Sequence, residues 1–88
     1  MKKTITFGRI IIDRLHMFFG KHDPIAFVVA DTWGSEKDDG KDHEVWCDHY
    51  RGHIKFSYKQ LRDKKRFTIT DKFVDPNKNI QDQLKQIV

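Results

Sequence analysis

Apolar and polar positions alternate with different periods along the chain, and the periods predict its elements. Lys3–Phe7 sets Ile5 and Phe7 against Thr4 and Thr6, a short strand pattern that ends at Gly8. From Arg9 to Phe19, Ile11, Ile12, Leu15, Phe18 and Phe19 share one helical face while Arg9, Asp13 and His16 fall away from it. That spacing predicts a helix, closed by Gly20 and followed by Pro24, although the isoleucine run also has strand character. Ile25–Trp33 is nearly continuous apolar sequence and reads as a strand buried on both faces. Glu44–Lys59 reads as one long or bulged strand, with Ile54, Phe56 and Tyr58 alternating against Lys55, Ser57 and Lys59 and with Gly52 at the bulge.

Leu61–Lys65 is a basic turn. Arg66–Val74 alternates again, with Phe67, Ile69 and Phe73 opposite Thr68, Thr70 and Lys72. Asp75-Pro76 suits a helix start, and Ile80, Leu84, Ile87 and Val88 then form an apolar stripe at helical spacing. The expected fold is α+β in the order (β)αβββα. It has a three-stranded antiparallel sheet, four-stranded if residues 3–7 pair, with helices packed on one face and the other face left for solvent or a partner.

Composition narrows the class. A chain of 88 residues is read as one small domain, 1–88, burying about 60–65% of its unfolded surface. Apolar runs no longer than Ile25–Ala30 leave no transmembrane helix, and MKKTITFG lacks the apolar core of a secretory signal. One cysteine excludes an internal disulfide framework and suits a reducing cytoplasm. Twelve Lys against five Arg, and nine Ile against three Leu, favour AT-rich codons and suggest a phage or mobile-element source.

The net charge of +4 conceals a division along the chain. Residues 1–35 carry +2, residues 36–50 carry −4 and residues 51–88 carry +6. Within Arg51–Arg66, seven basic residues accompany one acid. Lys and Arg at that density neutralise phosphates and release counterions, so this stretch is the candidate nucleic-acid surface. Contacts are expected from Lys55, Lys59, Arg62, Lys64, Lys65 and Arg66, with Arg51 and Lys72 flanking. The segment RGHIKFSY matches the RNP1 signature of RNA-recognition motifs at Arg51, Gly52 and Tyr58 but breaks it at Ile54 and Lys55, so no residue is carried over. The αβββα order resembles the double-stranded-RNA-binding domain in outline. Only Lys78 is placed like that family's helix-opening lysines, and the loop GSEKDDGKDHE is acidic, so the likeness is one of topology.

A second cluster lies in HEVWCDHYRGH. His43, Cys47 and His49 would share a strand face, with His53 nearby, and an imidazole–thiolate set of that kind could hold Zn²⁺. The spacing matches no established zinc signature, and a metal nuclease built on Asp48-His49 lacks further ligands downstream, so no metal and no cofactor is expected. The acidic stretch Glu36–Glu44 could dock on a basic partner or mimic phosphate, but reads first as a solvated loop. No nucleophile elbow, phosphate loop or catalytic carboxylate pair is present, so the chain is not read as an enzyme.

The leading expectation is a small cytoplasmic regulatory protein that binds nucleic acid, RNA before DNA, and modulates a host system, plausibly as a homodimer. The runner-up is an inhibitor that binds a host protein through its charged surface, and a second alternative is a small zinc-binding protein using His43, Cys47 and His49.

Overall fold

Ile10, Ile11 and Ile12 decide how the fold begins. The computed structural model describes residues 3–18, 20–36 and 43–87. Phe19, the acidic-loop residues 37–42 and Val88 of the terminal apolar stripe lie outside the described residues. The helix expected over 9–19 is not formed: residues Arg9–Asp13 make strand β1. Consecutive β-branched side chains are stiff about χ1 and prefer the pleated backbone. Tertiary packing decides the matter, because Ile11 is buried on one face of the sheet while Ile10 is buried on the other. A strand covered on both faces carries an apolar residue at every position, and its run then mimics helical spacing by coincidence.

Beyond β1 the chain makes a short ribbon of β2 (Met17–Phe18) and β3 (Lys21–His22), then β4 (Ile25–Thr32), β5 (Glu44–His49), β6 (Gly52–Ser57), helix α1 (Tyr58–Leu61), β7 (Phe67–Phe73) and helix α2 (Ile80–Ile87). The main sheet is five-stranded in the order β6-β5-β4-β1-β7, and its pairings are antiparallel. The fold is therefore α+β, with more strands than the sequence pattern indicates. The first element of the sheet is a strand, so the outline likeness to the double-stranded-RNA-binding domain does not hold. Lys3–Phe7 is not a strand, but Ile5 is buried in the core as a single anchor.

The stretch read as one long strand over 44–59 is a hairpin. His49 pairs with Gly52 across a turn of Tyr50 and Arg51, and His49 Nδ1 accepts from the Arg51 backbone N–H at 2.9 Å. Gly52 closes the turn with φ +149, a conformation that side chains rarely adopt. The turn lacks the Asn-Gly or Asp-Gly signal of common hairpins, which is why the alternation reads through it.

Helices cover both faces of the sheet, not one. On the first face, Ile11, Phe27, Val45, Phe56 and Phe67 pack under α1 with Tyr58 and Leu61. Phe27, Phe56 and Phe67 form an aromatic triad with centroids 4.9 to 6.1 Å apart, each pair adding about 0.5–1.5 kcal/mol beyond area burial. On the second face, Ile10, Ala26 and Val28 pack against Leu84 of α2, with Ile80 and Ile87 alongside. α2 starts at Ile80, later than the Asp75-Pro76 signal. Asp75 instead closes a turn, accepting from the Asn77 N–H at 2.9 Å, and the Asn79 side chain accepts from the Asp82 N–H at 3.1 Å to cap the helix.

α1 has only four residues, and a reciprocal capping box holds it: the Ser57 hydroxyl accepts from the Gln60 N–H at 3.1 Å, and Gln60 Oε1 accepts from the Ser57 N–H at 2.9 Å. From there residues 62–66 carry the chain from edge strand β6 to the opposite edge at β7. This crossover lays the basic turn over the first face of the sheet. Among the described residues no helix is long and apolar enough to cross a membrane.

Candidate nucleic-acid interface

The crossover builds an open cleft of about 340 Å³ on the α1 side of the sheet. Its rim carries Lys3, Arg14, Arg62 and Lys64, and none of the described residues lining it is acidic. Its floor is Leu61, Phe67 and Ile69 from the first core cluster. Lys3 precedes the core anchor Ile5, Arg14 follows β1, and Arg62 and Lys64 come from the crossover, so distant segments place their cations around one apolar floor. The Arg14 backbone N–H donates to the Arg66 carbonyl at 2.9 Å, and its guanidinium donates to the Lys64 carbonyl, which ties the end of β1 to the basic turn. Cations over an apolar floor suit a phosphate with an attached ring. Lys3 also meets Asp71 at 3.4 Å, but both side chains are exposed and water screens the pair.

The structure divides the residues expected to bind. Arg62 and Lys64 line the cleft; Lys59 on α1 and Lys65 in the turn are exposed. Lys55 points from the opposite face of the β5–β6 hairpin, 3.1 Å from Glu44 and 5.3 Å from the centre of the Trp46 ring. Arg51 sits in the hairpin turn with its guanidinium 5.0 Å from the Tyr50 ring centre. Lys72 is exposed on edge strand β7. Arg66 is committed to the fold: it donates to both oxygens of the fully buried Asp13 carboxylate at 3.1 and 3.0 Å and lies over the Phe67 ring at 4.8 Å. The expected single patch is thus several surfaces, because alternation along β6 turns Lys55 away from the side on which the crossover runs. Lys3 and Arg14 are the members that sequence reasoning missed. Each is an isolated cation in the sequence, and only chain pairing brings it to the cleft.

Arg62 makes an ion pair at the rim. Its Nε and terminal nitrogen donate to the two Glu36 carboxylate oxygens at 2.5 and 2.9 Å. Glu36 lines a second open cavity of about 430 Å³, and both cavities share Lys3 and Arg62. The acidic stretch beginning at Glu36 therefore meets the basic turn directly at its first residue.

The proposed metal ligands do not converge. Cys47 and His49 share the inner face of β5, but Cys47 is buried in the core beside Val45 and Phe56. Burial pushes its thiol up to about 12, with the Asp48 charge adding to the rise. His53 meets Asp48 on the outer face of the hairpin, and His43 precedes the strand and packs against Gly34. Gly34 has φ +77, and a Cβ there would collide with the His43 ring. Among the described residues no group of three His, Cys, Asp or Glu side chains could hold a metal ion. His49 faces His16 instead, ring centroids 5.6 Å apart, while His16 Nδ1 lies 3.7 Å from Asp13. Burial first, then the charges of His16 and Arg51, hold the His49 imidazole below its ordinary pKa, against a smaller pull from Asp48.

No family model matches the chain, and no curated protein or solved structure matches it.

Proposed function

We propose that this protein binds single-stranded nucleic acid, RNA before DNA, and acts as a small regulatory factor by occupying it. The observation that carries the reading is the cleft in which Lys3, Arg14, Arg62 and Lys64 surround a floor of Leu61, Phe67 and Ile69. Backbone phosphates meet Lys3, Arg14 and Lys64, while Arg62 stays paired with Glu36, and a base packs over the half-buried Ile69 of the floor. The helices supply no basic face of the kind that enters a DNA major groove: α2 carries one lysine among its eight residues, and α1 is too short. Exposed Lys59 and Lys65 extend the positive field beyond the cleft and favour encounter.

The test is fluorescence anisotropy with a labelled 12-nucleotide RNA. If three or four phosphates are neutralised, affinity falls roughly 20- to 50-fold between 50 and 200 mM salt. Joint substitution Lys3→Glu and Lys64→Glu abolishes that binding while leaving thermal stability within a few degrees. A flat salt response, or unchanged affinity in the double variant, rejects the cleft as the interface and leaves the protein-binding inhibitor as the better reading.

A further inference from the structure

Strand β6 forms an open edge of the main sheet, and the ladder beside it fixes which of its backbone groups face outward. β5 and β6 pair from Glu44 with Ser57 to His49 with Gly52 without a register shift, and the Tyr58 N–H donates to the His43 carbonyl at 3.2 Å. Bonded pairs alternate along an antiparallel ladder, so Gly52, Ile54 and Phe56 turn their N–H and C=O groups toward β5 while His53, Lys55 and Ser57 turn theirs away. Gln60 Oε1 accepts from the Ser57 N–H. Among the described residues no strand lies beyond β6, and no backbone hydrogen bond satisfies His53 or Lys55. Natural edges of this kind are guarded by a lysine or by a bulge that twists them away. Here the guards are folded back: Lys55 Nζ lies 3.1 Å from Glu44 and 5.3 Å from the Trp46 ring centre, and His53 Nδ1 contacts the Asp48 carboxylate, all on the β5 side. The other edge, β7, is interrupted by a register shift against β1.

We propose that a second copy of this chain pairs with the open edge, β6 against β6, about a two-fold axis at Ile54. The open groups lie one residue to either side of Ile54, so the pattern is its own complement. His53 of each copy meets Lys55 of the other as a bonded pair, and each such pair exchanges two N–H···O bonds. Ile54 meets the partner's Ile54 on the inner face at the closer, non-bonded spacing; it is half-buried and already packs against the first core cluster. On the outer face each Lys55 then lies between its own Glu44 and the Asp48–His53 pair of the other copy, so the cation has acids on both sides. A β6 edge joined to a β7 edge would leave a free edge at each end and grow without closing, whereas the two-fold joint closes at two copies. The axis stands perpendicular to the sheet, so both α1 faces, and both cationic clefts, open on the same side. The joint is short, which makes the dimer weak and concentration-dependent.

The experiment is analytical ultracentrifugation of the full chain, free of nucleic acid, over about a hundredfold range of concentration. The joint predicts a mass that rises from 10.5 kDa toward twice that value and no further. Lys55→Pro removes one outward N–H from each copy and leaves the bonds to β5 intact, since proline is tolerated on the free side of an edge strand. It raises the midpoint concentration of dimerisation at least about tenfold, as two lost hydrogen bonds would give. A thermal melt in dilute solution confirms that the variant is folded. Hydrogen exchange on the unaltered chain reads the same joint without any substitution, and it decides the matter if the variant does not fold. The His53 and Lys55 amides exchange at least about tenfold more slowly at the highest concentration than at the lowest, while those of Ile54 and Phe56, bonded within the hairpin, do not change. A mass of 10.5 kDa throughout, species larger than a dimer, an unchanged midpoint in folded Lys55→Pro, or exchange at His53 and Lys55 that ignores concentration overturns the joint. The cleft is tested separately, by its RNA affinity, so the two readings fail independently.

Discussion

Replacing Arg66 with Met separates the roles of the basic residues. The substitution keeps an apolar stem over Phe67 and removes two charge-assisted hydrogen bonds to Asp13. The Asp13 side chain is 1% exposed, so its carboxylate is left with the Leu15 N–H at 3.0 Å and with His16 at 3.7 Å. Each lost bond to a charged group is worth about 1.5–3 kcal/mol. The Arg66 side chain is 34% exposed, which lets water compete and favours the lower end of that range. The expected loss is about 3 kcal/mol, at the foot of the range for breaking a buried pair. In a chain of this size that lowers Tm by on the order of 15 °C. Urea unfolding followed by far-UV circular dichroism measures the loss, and a double-mutant cycle with Asp13→Asn isolates the pair, with a coupling of about 2 kcal/mol expected. Below its melting midpoint, Arg66→Met retains RNA affinity within two-fold, whereas Lys64→Glu does the opposite on both readouts. A stability loss under about 1 kcal/mol, a coupling near zero, or an affinity loss as large as that of Lys64→Glu would refute the assignment of Arg66 to the fold.

Other consequences can be measured independently. Cys47, buried and with its thiol pushed up to about 12, resists a thiol reagent at pH 8 in the native protein and reacts within minutes in urea; fast native labelling would contradict its burial. His49 has a lowered folded pKa, so the unfolded chain takes up its proton first. Its contribution to stability is complete above the ordinary value of ~6.5 and is lost as pH falls below it, and His49→Gln should flatten a stability profile measured from pH 7.5 to 5. Leu84 is fully buried between α2 and the sheet, so Leu84→Ala should cost about 2–4 kcal/mol in denaturant unfolding and leave the cleft on the opposite face binding as before.

Several elements were legible because local pattern and tertiary environment agree on them. β4 reads as a doubly buried strand and is one. β7 shows its alternation over its first half, where Phe67 and Ile69 pack in the core, but a register shift against β1 follows and the expected inner residue Phe73 is exposed with Arg9 over its ring. The stripe Ile80, Leu84 and Ile87 marks α2 correctly. The failures have a common cause. At Ile10–Ile12 and at Tyr50–Gly52 the local pattern admits two structures, and the choice lies with partners far away in sequence. Ile11 pairs with Ile69 and Phe27, and the hairpin turn is imposed by packing Phe56 over Val45.

The candidate site divides along the same line. Charge density is a property of composition, and the seven basic residues of Arg51–Arg66 are visible in the sequence alone. Which of those charges remain available is a property of neighbours. Asp13, fifty-three residues away, engages Arg66, and Glu36, twenty-six away, engages Arg62. Lys3 and Arg14 join the cleft only because the crossover passes over their side of the sheet. By itself the sequence determined the class of fold, the sign of the charge and the apolar residues available for burial, since these follow from composition and short-range periodicity. The tertiary structure decided which faces those residues occupy, which cations are neutralised and where the cleft opens, because pairing register and ion pairing join positions that no local pattern connects.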